Sequence, residues 1–159
     1  MKIGDEKANI FSKLMAYSIL YGLLLINYID VVSSGGYAYH LWLVAMYFAP
    51  FIIISLVDLK DWKLTVSLGL ISSLMNDMFY GLIVYLVGKS IDLFWYYKLW
   101  LIPHNELLFD LDFGVFRLPV FSWTMALSIY SRIILVYMLI KKWKMEKSAL
   151  GLQKLKRSR

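Results

Sequence analysis

The sequence predicts an all-α integral membrane protein: a bundle of four transmembrane helices, both termini cytoplasmic, with an amphipathic interfacial or re-entrant outer loop between helices three and four. Three observations lead there. The 159 residues are 60% hydrophobic and 17% aromatic, above the apolar share of a soluble domain. The apolar residues arrive in four runs of about 20, the length that crosses the hydrocarbon core. Lys and Arg collect on one side of those runs, as cytoplasmic flanks do. One domain is expected over residues 1–140, followed by a basic tail, 141–159, with no room for a separate soluble domain.

Taken in order, the spans are expected near residues 14–32, 37–57, 64–87 and 118–140. Asn27 and Asp30 near the end of the first distinguish it from a short signal-peptide core. The turn Ser33-Ser34-Gly35-Gly36 is short, so spans one and two should be antiparallel neighbours. Pro50 lies inside span two, where it removes a backbone donor and is expected to bend the helix. Lys2, Lys7 and Lys13, the two lysines of the turn from Asp58 to Lys63, and eight basic residues after Ile140 mark the inner side. The other side carries Lys89, Lys98 and Arg117 against Asp92, Glu106, Asp110 and Asp112. A cell membrane, plasma or inner, is the expected residence.

Span three carries Thr65, Gly69, Ser72, Asn76 and Tyr80 at helical spacing, with Ser73 and Asp77 alongside. Span four carries Thr124, Ser128, Ser131 and Arg132. Such faces avoid lipid and pack against other helices, and these two are expected to meet. A charge near mid-membrane costs roughly 2.5 to 3.5 kcal/mol on insertion scales, so Asp77 and Arg132 both need a partner. At about 1.5 Å per residue they lie about 15 and 21 Å from the outer ends of their spans, a gap the long Arg side chain bridges. An ion pair between them is expected, with Asn76 and nearby hydroxyls completing its hydrogen bonds.

The outer connection, residues 88–117, has two parts. Ile91 to Ile102 is apolar and aromatic, too short to span, and closed by Pro103, as suits an interfacial or re-entrant helix. From His104 to Phe113 the charged residues fall on even positions. An extended chain therefore sets His104, Glu106, Asp110 and Asp112 on one face and apolar residues on the other. This reads as an amphipathic strand or hairpin, with Gly114 at its turn. The acids match no metal-site spacing, and neither metal nor cofactor is expected. His40 has no His or Cys neighbour in sequence and is expected to be a hydrogen-bonded structural residue.

The absence of cysteine excludes disulfides, thiolate metal sites and cysteine nucleophiles. The tail holds Lys141, Lys142, Lys144, Lys147, Lys154, Lys156, Arg157 and Arg159. Anionic inner-leaflet headgroups attract such residues by about 1 kcal/mol each; nucleic acid is not an expected partner, since no stacking platform accompanies the charge. Three functions fit. The first is an accessory or structural subunit of a membrane complex, whose polar helix faces pack on other subunits or on a second copy. The second is a small oligomeric transporter or ion- or proton-conducting unit using Asp77 and Arg132. The third is a membrane-embedded aspartyl hydrolase, which needs two carboxylates sharing a proton.

The four-span layout and the stretch from Gly69 to Gly81 with one Asp resemble those of lipoprotein signal peptidases. That resemblance implies catalytic acids near the outer ends of the last two spans. Span four has no Asp at that place, and the loop after span one is too short for that family's substrate cradle.

Overall fold

The computed structural model describes residues 2–33, 38–57, 61–89 and 91–157. Outside the described residues lie most of the turn expected at Ser33-Ser34-Gly35-Gly36, Asp58 to Lys60 of the next turn, Arg159, and the side chains of Lys2, Lys7, Lys154, Lys156 and Arg157. The chain is mostly helical. It runs α1 (Lys2–Leu20), a π segment (Tyr21–Ile26), α2 (Asn27–Ser33), α3 (Tyr39–Val57), α4 (Trp62–Leu86), α5 (Leu93–Leu101), β1 (Leu107–Asp112), β2 (Arg117–Phe121) and α6 (Ser122–Arg157). Three helical stretches are long and apolar enough to cross a membrane: Asn9–Ser33, Trp62–Leu86 and Ser122–Ala149. In α3 the apolar stretch is shorter, Tyr39–Ile53.

The helices are arranged around α4. Half of its most apolar window is buried, against 28% for Asn9–Ser33 and 22% for Ser122–Ala149. The first helix, α3 and α6 all pack on it. Small and hydroxylated residues set the closest contact. Ser18 donates to the Leu68 carbonyl at 2.6 Å, and Ser72 donates back to the Ser18 carbonyl at 3.0 Å. One turn further on, Gly22 lies against the α4 backbone, so near that a Cβ there would be 2.2 Å from the Ser72 carbonyl oxygen. This is close packing of the kind small residues permit in membranes.

Two irregularities in the helices are satisfied by side chains. The π segment widens the helix just before Asn27. Asn27 is fully buried there, and its amide donates to the carbonyls of Gly22, Leu23 and, across the interface, Met75 at 3.1, 3.1 and 3.2 Å. In α3, Pro50 has no N–H for the carbonyl four residues back. That carbonyl, on Met46, accepts instead from the Tyr21 hydroxyl at 3.0 Å.

The all-α expectation is corrected in the outer connection. Residues 118–121, assigned from hydropathy to the start of span four, belong with Arg117 to β2, which pairs antiparallel with β1; α6 begins at Ser122. Pro119 suits a two-stranded edge and not a continuing ladder. Phe121 N–H donates to Thr124 Oγ1 at 2.8 Å, a side chain reaching back over the first turn of the helix. A bulge between Leu107 and Phe109 breaks strict alternation, so Leu108 and Leu111 both turn to the core.

The apolar segment before the hairpin is α5, capped by Asp92, whose carboxylate accepts from Phe94 N–H and Trp95 N–H at 2.9 and 3.2 Å. Its inner face, Tyr96, Leu99 and Trp100, is buried on Leu74 of α4 and on Met125, Ala126 and Ile129 of α6. Phe94, Leu101 and Ile102 point outward. Fully buried Ser122 ties this layer together. Its hydroxyl donates to the Leu99 carbonyl and accepts from His104 N–H at 3.1 Å, and its N–H donates to the Glu106 carbonyl at 2.9 Å.

At the opposite end the basic tail continues α6 as helix and folds onto the bundle. Trp143 donates to Asp61 at 2.8 Å, Lys147 meets the same carboxylate oxygen at 2.6 Å, and Lys63 pairs with Glu146 at 2.8 Å. Trp143 also stacks on Phe11 of α1, with ring centroids 5.3 Å apart. The start of α4, the first helix and the C-terminal part of α6 therefore share one end of the molecule.

The Gly22 contact generates a direct expectation. Gly22→Val places its Cβ inside the Ser72 backbone, so unfolding in bicelles should show a loss of about 1–3 kcal/mol, the usual penalty of overpacking. Unchanged stability would refute this close approach.

Candidate functional site

The polar residues of α4 do not all face one neighbour. Ser72 faces Ser18 of α1, and Gly69 receives the Phe48 ring of α3. Of the small and polar stripe, Ser73 and Asp77 meet α6. There Arg132 pairs with Asp77, donates through Nη1 to Ser73 Oγ at 2.9 Å, and donates through Nε to the Ser128 carbonyl at 3.1 Å. Three acceptors thus surround the guanidinium of this partly buried ion pair. The expectation that the two stripes meet face to face is corrected, because a central helix turns its polar groups to several neighbours. Thr124 serves the start of α6, and exposed Ser131 bonds only to its own helix, at the Ser128 carbonyl.

A second network lies beside the first. Asn76, 2% exposed, donates through Nδ2 to Asp30 Oδ2 at 2.8 Å and to the Tyr47 hydroxyl at 3.1 Å. The Tyr39 hydroxyl donates to the other oxygen of Asp30. The Tyr96 hydroxyl donates to the Asp77 carbonyl, and the Tyr96 ring lies on Gly81, where a Cβ would be 2.4 Å from it. Tyr80 lies beside Tyr96, ring centroids 6.0 Å apart.

These groups border a cavity of about 640 Å³. Helices α3 and α6 flank α4 with little contact between them. The cavity occupies the gap, with α4 behind it and α5 and the hairpin contributing to its lining. Its polar groups include Asp30, Asn76, Asp77 and Arg132; Leu43, Val44, Leu108 and Met125 are among the apolar ones. The hairpin is hooked to α3 by His40, whose Nδ1 accepts from Asp112 N–H at 2.9 Å and whose ring stacks on Phe109.

Asp30, Tyr39, Tyr47 and Tyr96 were not singled out as site residues from the sequence. Asp30 and Tyr39 sit on either side of a turn, close in sequence, and a carboxylate there followed by a tyrosine was the available signal. Tyr47 and Tyr96 carried none, since tyrosines in spans and at their margins are common.

The outer acidic face does not assemble as one row. His104 pairs with Glu106 at 2.7 Å, Asp112 lies 3.9 Å from Arg117 and accepts from Gly114 N–H at 2.7 Å, and Asp110 stands opposite Pro119 in the hairpin. Among the described residues, no three His, Asp or Glu side chains converge as metal ligands would. Comparison of the chain with family models, curated proteins and solved structures finds no match.

Two outcomes follow. Arg132→Leu leaves the partly buried Asp77 carboxylate without its counter-charge and should destabilise the protein, while adding Asp77→Leu should recover most of that loss; bicelle unfolding reads both, and equal destabilisation in the single and double variants would contradict the pairing. The His104 pKa is raised above its ordinary value, first by the backbone carbonyl of Ile102 and then by Glu106. The outer turn's added stability is therefore full below about pH 6.5 and fades as pH rises through the raised value. NMR titration should give a midpoint above about 6.5 that falls in Glu106→Gln; a midpoint at or below it would contradict the contact.

Proposed function

We propose that this chain is a four-span protein of a cell membrane, with both termini cytoplasmic, that binds an amphiphilic ligand drawn from the bilayer. The observation that carries the reading is a charged and hydrogen-bonded site set in an otherwise largely apolar cavity between α3 and α6. The ligand's polar end meets the groups around Asp30 and Arg132, and its tail lies along Leu43, Val44 and Met125. Binding sites between helices with a few convergent polar groups are a common form of small-molecule site. In this reading α3 is the remaining span, and the gap faces lipid.

The orientation is supported by charge. The end shared by α1, the start of α4 and the end of α6 carries Lys13, Lys63, Lys141, Lys142, Lys144 and Lys147, as a cytoplasmic face does. The other end carries Asp92, Glu106, Asp110 and Asp112. The basic end of α6 then lies at anionic headgroups.

The accessory-subunit reading draws less support, because the polar faces expected to hold partner subunits are engaged inside the chain at Ser72, Ser73, Asn76, Asp77 and Arg132. A hydrolase needs carboxylates sharing a proton. Asp77 instead holds Arg132, and Asp30 holds Tyr39 and Asn76.

Photo-labelling in nanodiscs with a diazirine-bearing alkyl probe tests the proposal. Labels should concentrate on Val44, Leu108 and Met125 and decline when Ser128→Trp narrows the cavity. Labelling confined to outward residues such as Leu24 and Tyr137 would overturn it.

A further inference from the structure

We infer that the ligand is an amphiphilic ammonium, with at least one N–H, held by Asp30 and Asn76. The inference rests on the cavity's being a ligand site and names the chemistry of what it takes. It begins with charge. Asp30, Asp77 and Arg132 all border the cavity, and Arg132 is already matched to Asp77. Asp30 has only neutral donors, the Tyr39 hydroxyl and the Asn76 amide.

The nearby basic groups do not supply the missing charge. His40 accepts at Nδ1 from Asp112 N–H, so its ring is neutral while that bond is made. Lys89 directs its ammonium at the Val31 carbonyl, 2.7 Å away. Among the described residues Asp30 thus has no ion-pair partner, and a carboxylate in a low-dielectric site calls for one.

Asn76 bears on the same point. Its Nδ2 donates to Asp30 and Tyr47, the orientation that an ionised Asp30 carboxylate, which only accepts, requires. Its Oδ1 is left buried without a partner, on a residue that lines the cavity. Buried acceptors without donors are rare and costly. An unmatched carboxylate and an orphaned amide oxygen, side by side, select a ligand that is both a cation and a hydrogen-bond donor. An anion or a carboxylic acid would add to the surplus of negative charge.

The walls agree. Tyr39, Tyr47, Tyr80, Trp95 and Tyr96 bring aromatic rings to the same cavity, and ring faces attract ammonium groups, most strongly where water is excluded. The apolar lining accommodates an alkyl chain, so the match is a long-chain amine and not a small inorganic cation.

The test uses the full-length chain in nanodiscs of neutral lipid, titrated with dodecylamine, dodecanol and dodecyl phosphate at neutral pH. Dodecylamine should bind saturably, and dodecanol should bind roughly tenfold or more weakly, the worth of a hydrogen bond to a charged group. Asp30→Asn should erase that preference, and Asp30→Glu should restore part of it. The wild-type comparison stands even if Asp30→Asn fails to assemble. Equal or tighter binding of dodecanol or dodecyl phosphate overturns the ammonium assignment and leaves the cavity reading in place. Saturable binding of none of the three overturns both.

Discussion

A charged side chain on a long apolar helix is costly unless it is paired, and here Arg132 of α6 pairs with Asp77 of α4. The cost of leaving either charge alone is several kcal/mol, more than a single packing contact returns. The pair therefore fixes both the rotation and the depth of α6 against α4. Ser73 and the Ser128 carbonyl occupy the remaining donors of the guanidinium, so the pair works as one unit. On the far side of α4, Ser18, Gly22 and Ser72 fix the first helix by close approach. With α4 held from both sides, α3 completes the bundle without having to touch α6.

That arrangement produces the cavity. Helices α3 and α6 are both committed to α4, and the space between them is bordered by polar groups that α4 and α2 bring to it. The outer layer adds to the lining without filling the space, because α5 lies on Gly81 through Tyr96 and the hairpin is hooked to α3 through His40. Side chains serve the irregular parts of the chain around it. Asn27 serves the π segment, Tyr21 serves the carbonyl freed by Pro50, and Ser122 serves the junction of α5, the hairpin and α6.

The long apolar helices and the Asp77–Arg132 spacing were legible in the sequence because hydropathy and helical rise are local properties. The second carboxylate of the site was not. Asp30 stands in the last turn of the first helical stretch, where an acid is unremarkable, and only packing brings it to Asn76, 46 residues away. The division of α4's polar face among three neighbours was hidden for the same reason: periodicity shows that a face is polar, not which helix it meets. Hydropathy ran β2 into α6, since an apolar strand leading directly into an apolar helix leaves no break in composition. The basic tail read as a peripheral segment, whereas Asp61 gathers Trp143 and Lys147 into a clasp that no local pattern marks.

A matched ion pair between α4 and α6 sets the geometry on which the cavity depends. Solid-state NMR on the protein in lipid bilayers, labelled with ¹⁵N-arginine and ¹³C-aspartate, measures this directly through the dipolar coupling between the Arg132 guanidinium and the Asp77 carboxyl carbon. The account predicts a strong coupling that disappears in Asp77→Asn. Absence of that coupling in the wild-type chain, with the Arg132 guanidinium coupled instead to lipid phosphate, would contradict it.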